Sequence, residues 1–279
     1  MKINKNSLQA RIKNIVSEKG VPSNVVLQDY FFDAFLKRLA KSKYKENFVF
    51  KGGFLLSSNL GINYRSTMDI DFLIRNIAFQ KENVVDVFKE IIAINVGDLV
   101  TFEYIGISDI REDDQYGGFN VSILGKLENI KVMVSVDVAT GDPITPSSVV
   151  YDYKCLFDEE TIRFASYNYE TIISEKLQTI LARGTTNSRS KDFYDLYIIY
   201  KLRFDKVDKQ QLSNAFINTC KHRGTVFSKD EAFKTTSSIL ESKMINERWI
   251  SYTKKNSFAR AIDFKDVIET VNKIIGIVL

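Results

Sequence analysis

Arg65-Ser-Thr-Met-Asp-Ile-Asp-Phe-Leu-Ile74 is the stretch from which the fold can be read. Ile70, Phe72 and Ile74 alternate with Asp69, Asp71 and Leu73, which is the period of a β-strand and puts both carboxylates on one face. Two like charges side by side repel, and the arrangement is tolerable where a divalent cation lies between them. Mg²⁺ suits such a position because it takes one or two carboxylates together with the phosphates of a bound nucleotide. The chemistry these residues suggest is metal-dependent and acts on a nucleotide.

Upstream, Phe48-Val-Phe50 reads as a short strand, and Lys51-Gly52-Gly53 leads from it into a helix expected to run through Leu60. Paired glycines let the backbone approach a triphosphate, and a helix N-terminus offers free N–H groups. A Gly-Gly pair alone is more often a tight turn; the Asp-x-Asp strand that follows makes it specific. Downstream, Lys131-Val-Met-Val-Ser-Val-Asp-Val138 alternates valines with Lys131, Met133, Ser135 and Asp137. Asp137 reads in two ways. It is a solvent-facing acid at a sheet end, or a third carboxylate beside Asp69 and Asp71 in a two-metal site, with ions roughly 3.5–4 Å apart.

Apolar spacing predicts helices over 7–19, 25–40 and 79–94, strands over 99–107, 118–123 and 130–139, and a mostly helical chain from Tyr169 onward. The expected architecture is α+β with two lobes, residues 1–155 and 156–279, the boundary region lying between Pro146 and Tyr167. In the helical part, Lys176 falls on the apolar stripe of Ile172, Ile173, Leu177 and Ile180, where an ammonium needs an anionic partner or an exit to water. A nucleotide phosphate would serve. Arg189, Asp192 and Asp195 recur at three-residue steps, either as a charge network at a helix start or with one of the acids orienting Lys176.

Composition narrows the chemistry further. At 279 residues and 44% apolar content, the chain can bury one large core or two modest ones. His222 is the only histidine, so a Ser-His-Asp or Cys-His mechanism would have to run through that one residue, and most zinc enzymes are disfavoured. Cys155 and Cys220 form no close-spaced motif. No window is long and apolar enough for a membrane span, and Met1-Lys-Ile-Asn-Lys5 lacks the apolar run of a secretory signal, so the cytoplasm is the expected location. The net charge is +4, with basic residues dense over 201–223 and 243–260. Such runs suit a polyanionic partner as well as a solvated helix surface. Arg203, Lys221 and Arg223 are the first candidates for phosphate contacts.

In this order, Phe50-Lys-Gly-Gly-Phe-Leu-Leu56, Arg65 to Asp71, Asp137 before Gly141-Asp142-Pro143, Glu170 to Gln178, and Arg189-Ser-Lys-Asp-Phe-Tyr-Asp-Leu196 resemble the AbiEii-type nucleotidyltransferase toxins. That family is a branch of the polymerase-β-like superfamily. The resemblance covers about Val25 to Tyr200. It implies a bilobal protein with a mixed-sheet nucleotidyltransferase core and a helical C-terminal lobe, acting with a cognate antitoxin in abortive infection (phage defence). It also implies Mg²⁺, two ions in the two-metal reading, and a nucleoside triphosphate substrate used to modify RNA, notably the tRNA 3′ end.

Asp69 and Asp71 would be the metal ligands, with Asp137 as the third. Lys176 would contact the triphosphate, and Asp192 or Asp195 would be the acid of the last motif. Lys51, Gly52, Gly53, Arg65, Ser66, Thr67 and Arg189 complete the candidate nucleotide site. The chain departs from the wider superfamily in carrying Gly-Gly where many members have Gly-Ser, and in a longer gap before the acidic pair. Two other functions fit parts of the pattern: transfer to a small molecule such as an aminoglycoside, which the basic C-terminal part disfavours, and a non-catalytic protein that binds RNA or a partner.

Overall fold

The computed structural model describes residues 3–110 and 117–279. It divides into two compact units, Met1–Gly141 with Val149–Ser166, and Asp142–Ser148 with Tyr167–Leu279.

The first unit is built on a seven-stranded mixed sheet. Its strands are β1 (Phe48–Lys51), β2 (Asp69–Ile74), β3 (Thr101–Ile110), β4 (Gly118–Leu127), β5 (Ile130–Ala139), β6 (Val149–Lys154) and β7 (Thr161–Ser166), in the order β3-β4-β5-β2-β1-β7-β6. The β2/β5 and β1/β7 pairs are parallel, and every other pair is antiparallel. Among the described residues this unit holds the α-helices α1 (Lys5–Lys19), α2 (Ser23–Lys41), α3 (Gly52–Leu60) and α4 (Lys81–Ile92).

One sheet face carries Phe48, Phe50, Ile70, Phe72, Val136 and Ile123, all fully buried. Phe31 and Phe35 of α2 and Phe88 of α4 pack over it edge-to-face and stacked, and such ring pairs add about 0.5–1.5 kcal/mol each beyond the area they bury. α2 packs tightly at Gly125, where a Cβ would lie 2.3 Å from the Phe31 ring.

Buried polar groups tie α2 to the rest of the unit. Asp33 accepts hydrogen bonds from the Tyr153 hydroxyl and the Leu156 amide, and Arg38 forms a two-point ion pair with Asp98. Burial pushes the Asp33 carboxyl up to about 7 against the opposing pull of the two hydrogen bonds.

The second unit is helical: α5 (Tyr169–Arg183), α6 (Ser190–Arg203), α7 (Lys209–His222), α8 (Lys229–Glu241), α9 (Lys243–Lys255) and α10 (Phe264–Val278). α10 is strongly amphipathic and buries Val267, Ile268, Val271, Ile274 and Ile275 against α6, α7 and α8. The helix starts follow the sequence. Asn168 caps α5, Asp208 caps α7, and Ser228 with Glu231 forms a capping box on α8.

Strand β6 carries no strong alternation, whereas β7 alternates buried Ile162 and Phe164 with exposed Thr161 and Arg163; neither is in the sequence-based expectation. The two strands, on either side of residue 155, pair from Val149↔Ser166 to Lys154↔Thr161, and the chain leaves the first unit after Ser166, at the end of the boundary region 146–167.

Candidate active site

Asp69 and Asp71 lie on the sheet face opposite the phenylalanine core, both half-buried. The β2/β5 register sets Asp71 directly against Asp137 and Asp69 against Ser135. Lys51 is the partner of Asp71 on β1, and Asn120 is the partner of Asp137 on β4. A single row across four strands therefore reads Lys51, Asp71, Asp137, Asn120. Asp137 is brought to the acidic pair rather than left at a sheet end.

The glycine pair sits against this row for a steric reason. Gly52 has φ +69°, and a Cβ on it would lie 2.0 Å from Asp71 Oδ2. Gly53, in the first turn of α3, donates its amide to the same oxygen at 3.0 Å. A free helix N-terminus thus touches a carboxylate of the site, the geometry in which backbone N–H groups attract negative charge.

The loop before β2 is pinned by Arg65, which is buried and donates to the Ser66 carbonyl. Thr67 donates its hydroxyl to Asp69 Oδ1. Arg65 and Thr67 therefore hold the loop and one carboxylate in place, and the Ser66 main chain receives Arg65.

Asn120 and Ser135 are site residues that the sequence reading did not single out. Asn120 Nδ2 donates to Asp137 Oδ1 and to Ser135 Oγ, both at 2.6 Å, and Ser122 donates to Asn120 Oδ1 at 3.3 Å. The available signal was the pair of polar residues Asn120 and Ser122 alternating with Val121 and Ile123 on β4. That signal has no meaning until the strand beside β4 is known.

Among the described residues no three His, Cys, Asp or Glu side chains form a group able to hold a metal ion by themselves. Asp69, Asp71 and Asp137 are therefore not a closed protein cage. The donor set still fits Mg²⁺, which keeps several waters and is bound through one or two carboxylates plus substrate phosphates.

In the second unit, Lys176 on α5 donates to Asp192 Oδ1 at 3.0 Å and to Asp195 Oδ2 at 2.7 Å, both on α6. The two acids are almost wholly buried, and Arg189 holds the other oxygen of Asp192 at 2.7 Å. The partner that Lys176 requires is thus carboxylate from the neighbouring helix. Both acids engage it, where the sequence left a choice between them. Arg189 stands at the N-cap of α6 instead of on its face.

Arg223 differs from the expectation of a phosphate contact. Its guanidinium donates to Gln178 Oε1 at 2.8 Å and to Thr179 Oγ1 at 3.0 Å, tying the end of α7 to α5.

A family model described as Nucleotidyl transferase AbiEii toxin, Type IV TA system matches residues 34–270. No curated protein matches the chain. Two solved structures are similar. One, a crystal structure from H. pylori described as that of a nucleotidyltransferase, has 17% identity and a TM-score of 0.55, covering 92% of this chain and 96% of that one. The other, JHP933 from Helicobacter pylori, has 16% identity and a TM-score of 0.54, covering 92% and 93%. At these identities the likeness carries the fold alone.

Proposed function

For a chain that belongs to the AbiEii nucleotidyltransferase toxin family of type IV toxin–antitoxin systems, we propose a Mg²⁺-dependent transfer of a nucleotidyl group from a nucleoside triphosphate to RNA, with the tRNA 3′ end as acceptor. The supporting observation is the register of Asp71 against Asp137, with the Gly53 amide on Asp71. Carboxylates from adjacent strands and a helix N-terminus then share one half-buried patch, and oxygen ligands for a hard cation stand beside N–H donors for phosphate.

Mg²⁺ bound there would neutralise charge developing on the α-phosphate and on the departing pyrophosphate. The protein's own residues do the rest. Asp69 and Asp71 would hold the cation, Thr67 fixes the Asp69 carboxylate, and Asn120 fixes Asp137, which would face the acceptor hydroxyl. Lys176 is assigned the phosphate contact that the family resemblance implies, its ammonium oriented by Asp192 and Asp195.

The partner in the system is a cognate antitoxin. No described helix is long and apolar enough to cross a membrane, and we place the activity in the cytoplasm.

The test is incubation of the purified protein with Mg²⁺, total RNA and each labelled nucleoside triphosphate in turn. The expected result is label in a tRNA-sized band, abolished by a chelator and by Asp71→Ala. No label from any of the four triphosphates would remove the proposal.

A further inference from the structure

The sheet face that carries the acids continues beyond them, and its chemistry changes row by row. β4 and β5 pair with Asn120 against Asp137, Ser122 against Ser135, Leu124 against Met133, and Lys126 against Lys131. Alternate residues of a strand share a face, so these four pairs form one strip: acid and amide, two hydroxyls, two apolar side chains, two ammonium groups. The other face of the same strands buries Val121, Ile123, Val134 and Val136 completely. None of the eight residues of the strip is buried.

β2 begins at Asp69, opposite Ser135, so it provides no partner for the lower half of the strip. There the Met133 carbonyl is held instead by Gln28 Nε2 at 3.0 Å. The Met133 side chain, 48% exposed, stands in the open beside Leu124. An adaptable thioether displayed on a braced strand is poor for stability and well suited to contact with a ring. Lys126 is paired with Glu103, and the more exposed Lys131 acts on the same carboxylate only through its charge.

We propose that this strip is the track for the 3′-terminal nucleotides of the acceptor RNA. The inference rests on the reading of the chain as an RNA nucleotidyltransferase and deepens it. Successive rows are about 6.8 Å apart along a strand, and the four rows span about 20 Å, long enough for more than one nucleotide of an extended single strand. The order of rows matches the polarity such a strand needs. The reacting hydroxyl ends at Asp137, and Ser122 and Ser135 meet the terminal ribose, whose 2′-hydroxyl both donates and accepts. Leu124 and Met133 offer a platform to the preceding base, and Lys131 reaches a phosphate further back, at the end of the strip farthest from the acids.

The test is binding of a fluorescent oligoribonucleotide with a free 3′-hydroxyl, followed by anisotropy across a range of salt. Met133→Glu and Lys131→Glu, both at exposed positions, should each weaken binding about tenfold, and Met133→Leu should bind as the wild type does. Lys131→Glu should reduce the salt slope by roughly one phosphate contact. The matching oligodeoxyribonucleotide should bind more weakly to the wild type, a gap that narrows in Ser135→Ala. Thermal stabilisation by nucleoside triphosphate with Mg²⁺ should be the same in Met133→Glu and Lys131→Glu as in the wild type.

Unchanged RNA affinity in both glutamate variants, or no binding by the wild type, overturns the track. Wild-type transfer to RNA with unaffected glutamate variants leaves the proposed function standing without it. Binding that depends on Met133 and Lys131 in a protein that labels no RNA leaves the track standing and removes the transfer reaction.

Discussion

Asp71 and Asp137 are register partners on the parallel strands β2 and β5, although 66 positions separate them in the chain. Asp71→Ala should lower nucleotidyl transfer more than a hundredfold while the circular dichroism of the protein stays the same. A cation clamp supplies several kcal/mol of transition-state stabilisation, and each 1.36 kcal/mol, roughly, is tenfold in rate. Retention of more than about a tenth of the wild-type rate would sink the assignment of Asp71 as a ligand.

Gly52→Ala should damage both fold and site. The residue is left-handed at φ +69°, and its Cβ would be driven into Asp71 at 2.0 Å. The backbone term alone costs roughly 1–2 kcal/mol, and displacement of the carboxylate should remove transfer. Gly53→Ala has more room, its nearest contact being Arg65 Nη2 at 3.0 Å. Urea unfolding and transfer assays of the two variants should separate them clearly; equal behaviour would contradict the proposed crowding at Asp71.

Lys176→Met leaves Asp192 and Asp195 buried, with Arg189 on one of them. Breaking a buried ion pair from one side costs on the order of 3–5 kcal/mol. The unfolding midpoint in urea should fall accordingly, and Lys176→Met combined with Asp195→Asn should recover part of the loss. A single variant destabilised by less than about 1 kcal/mol would mean that the ammonium contributes as little as a surface pair.

Stability should fall as pH rises from about 4 to 7, in part because of Asp33. Its folded carboxyl titrates at about 7 because burial disfavours the charged form, above its unfolded value. Between the two values the folded state holds a proton that the unfolded chain has released, so the contribution is full below the unfolded pKa and is lost as pH approaches 7. Asp33→Asn should flatten the curve over that window. Parallel curves for variant and wild type would show that Asp33 is not the source of the slope.

Local pattern was enough to locate the acidic strand, the glycine pair before it and the helical second half. Each of these depends on neighbours in the chain: period two puts Asp69 and Asp71 on one face, and period 3.6 sets Lys176 among apolar residues. The strands β6 and β7 escaped the same reading. In the edge strand β6, exposed apolar residues such as Val150 at 71% exposure break the alternation that marks a strand with one face in a core, while β7 alternates but spans only six residues.

The amino-acid sequence by itself determined which residues carry charge, which strand holds the acidic pair, and that the chain turns helical from Tyr169, because periodicity and alternation act over a few positions. Tertiary structure alone decided that Asp137 stands against Asp71, that Asn120 holds Asp137, and that Lys176 is met by both Asp192 and Asp195. The physical reason is that strand order and helix packing are set by burial of the whole phenylalanine-rich face and of α10, a sum over distant residues. A one-residue shift in register would have turned Asp137 to the opposite face with no change in local pattern.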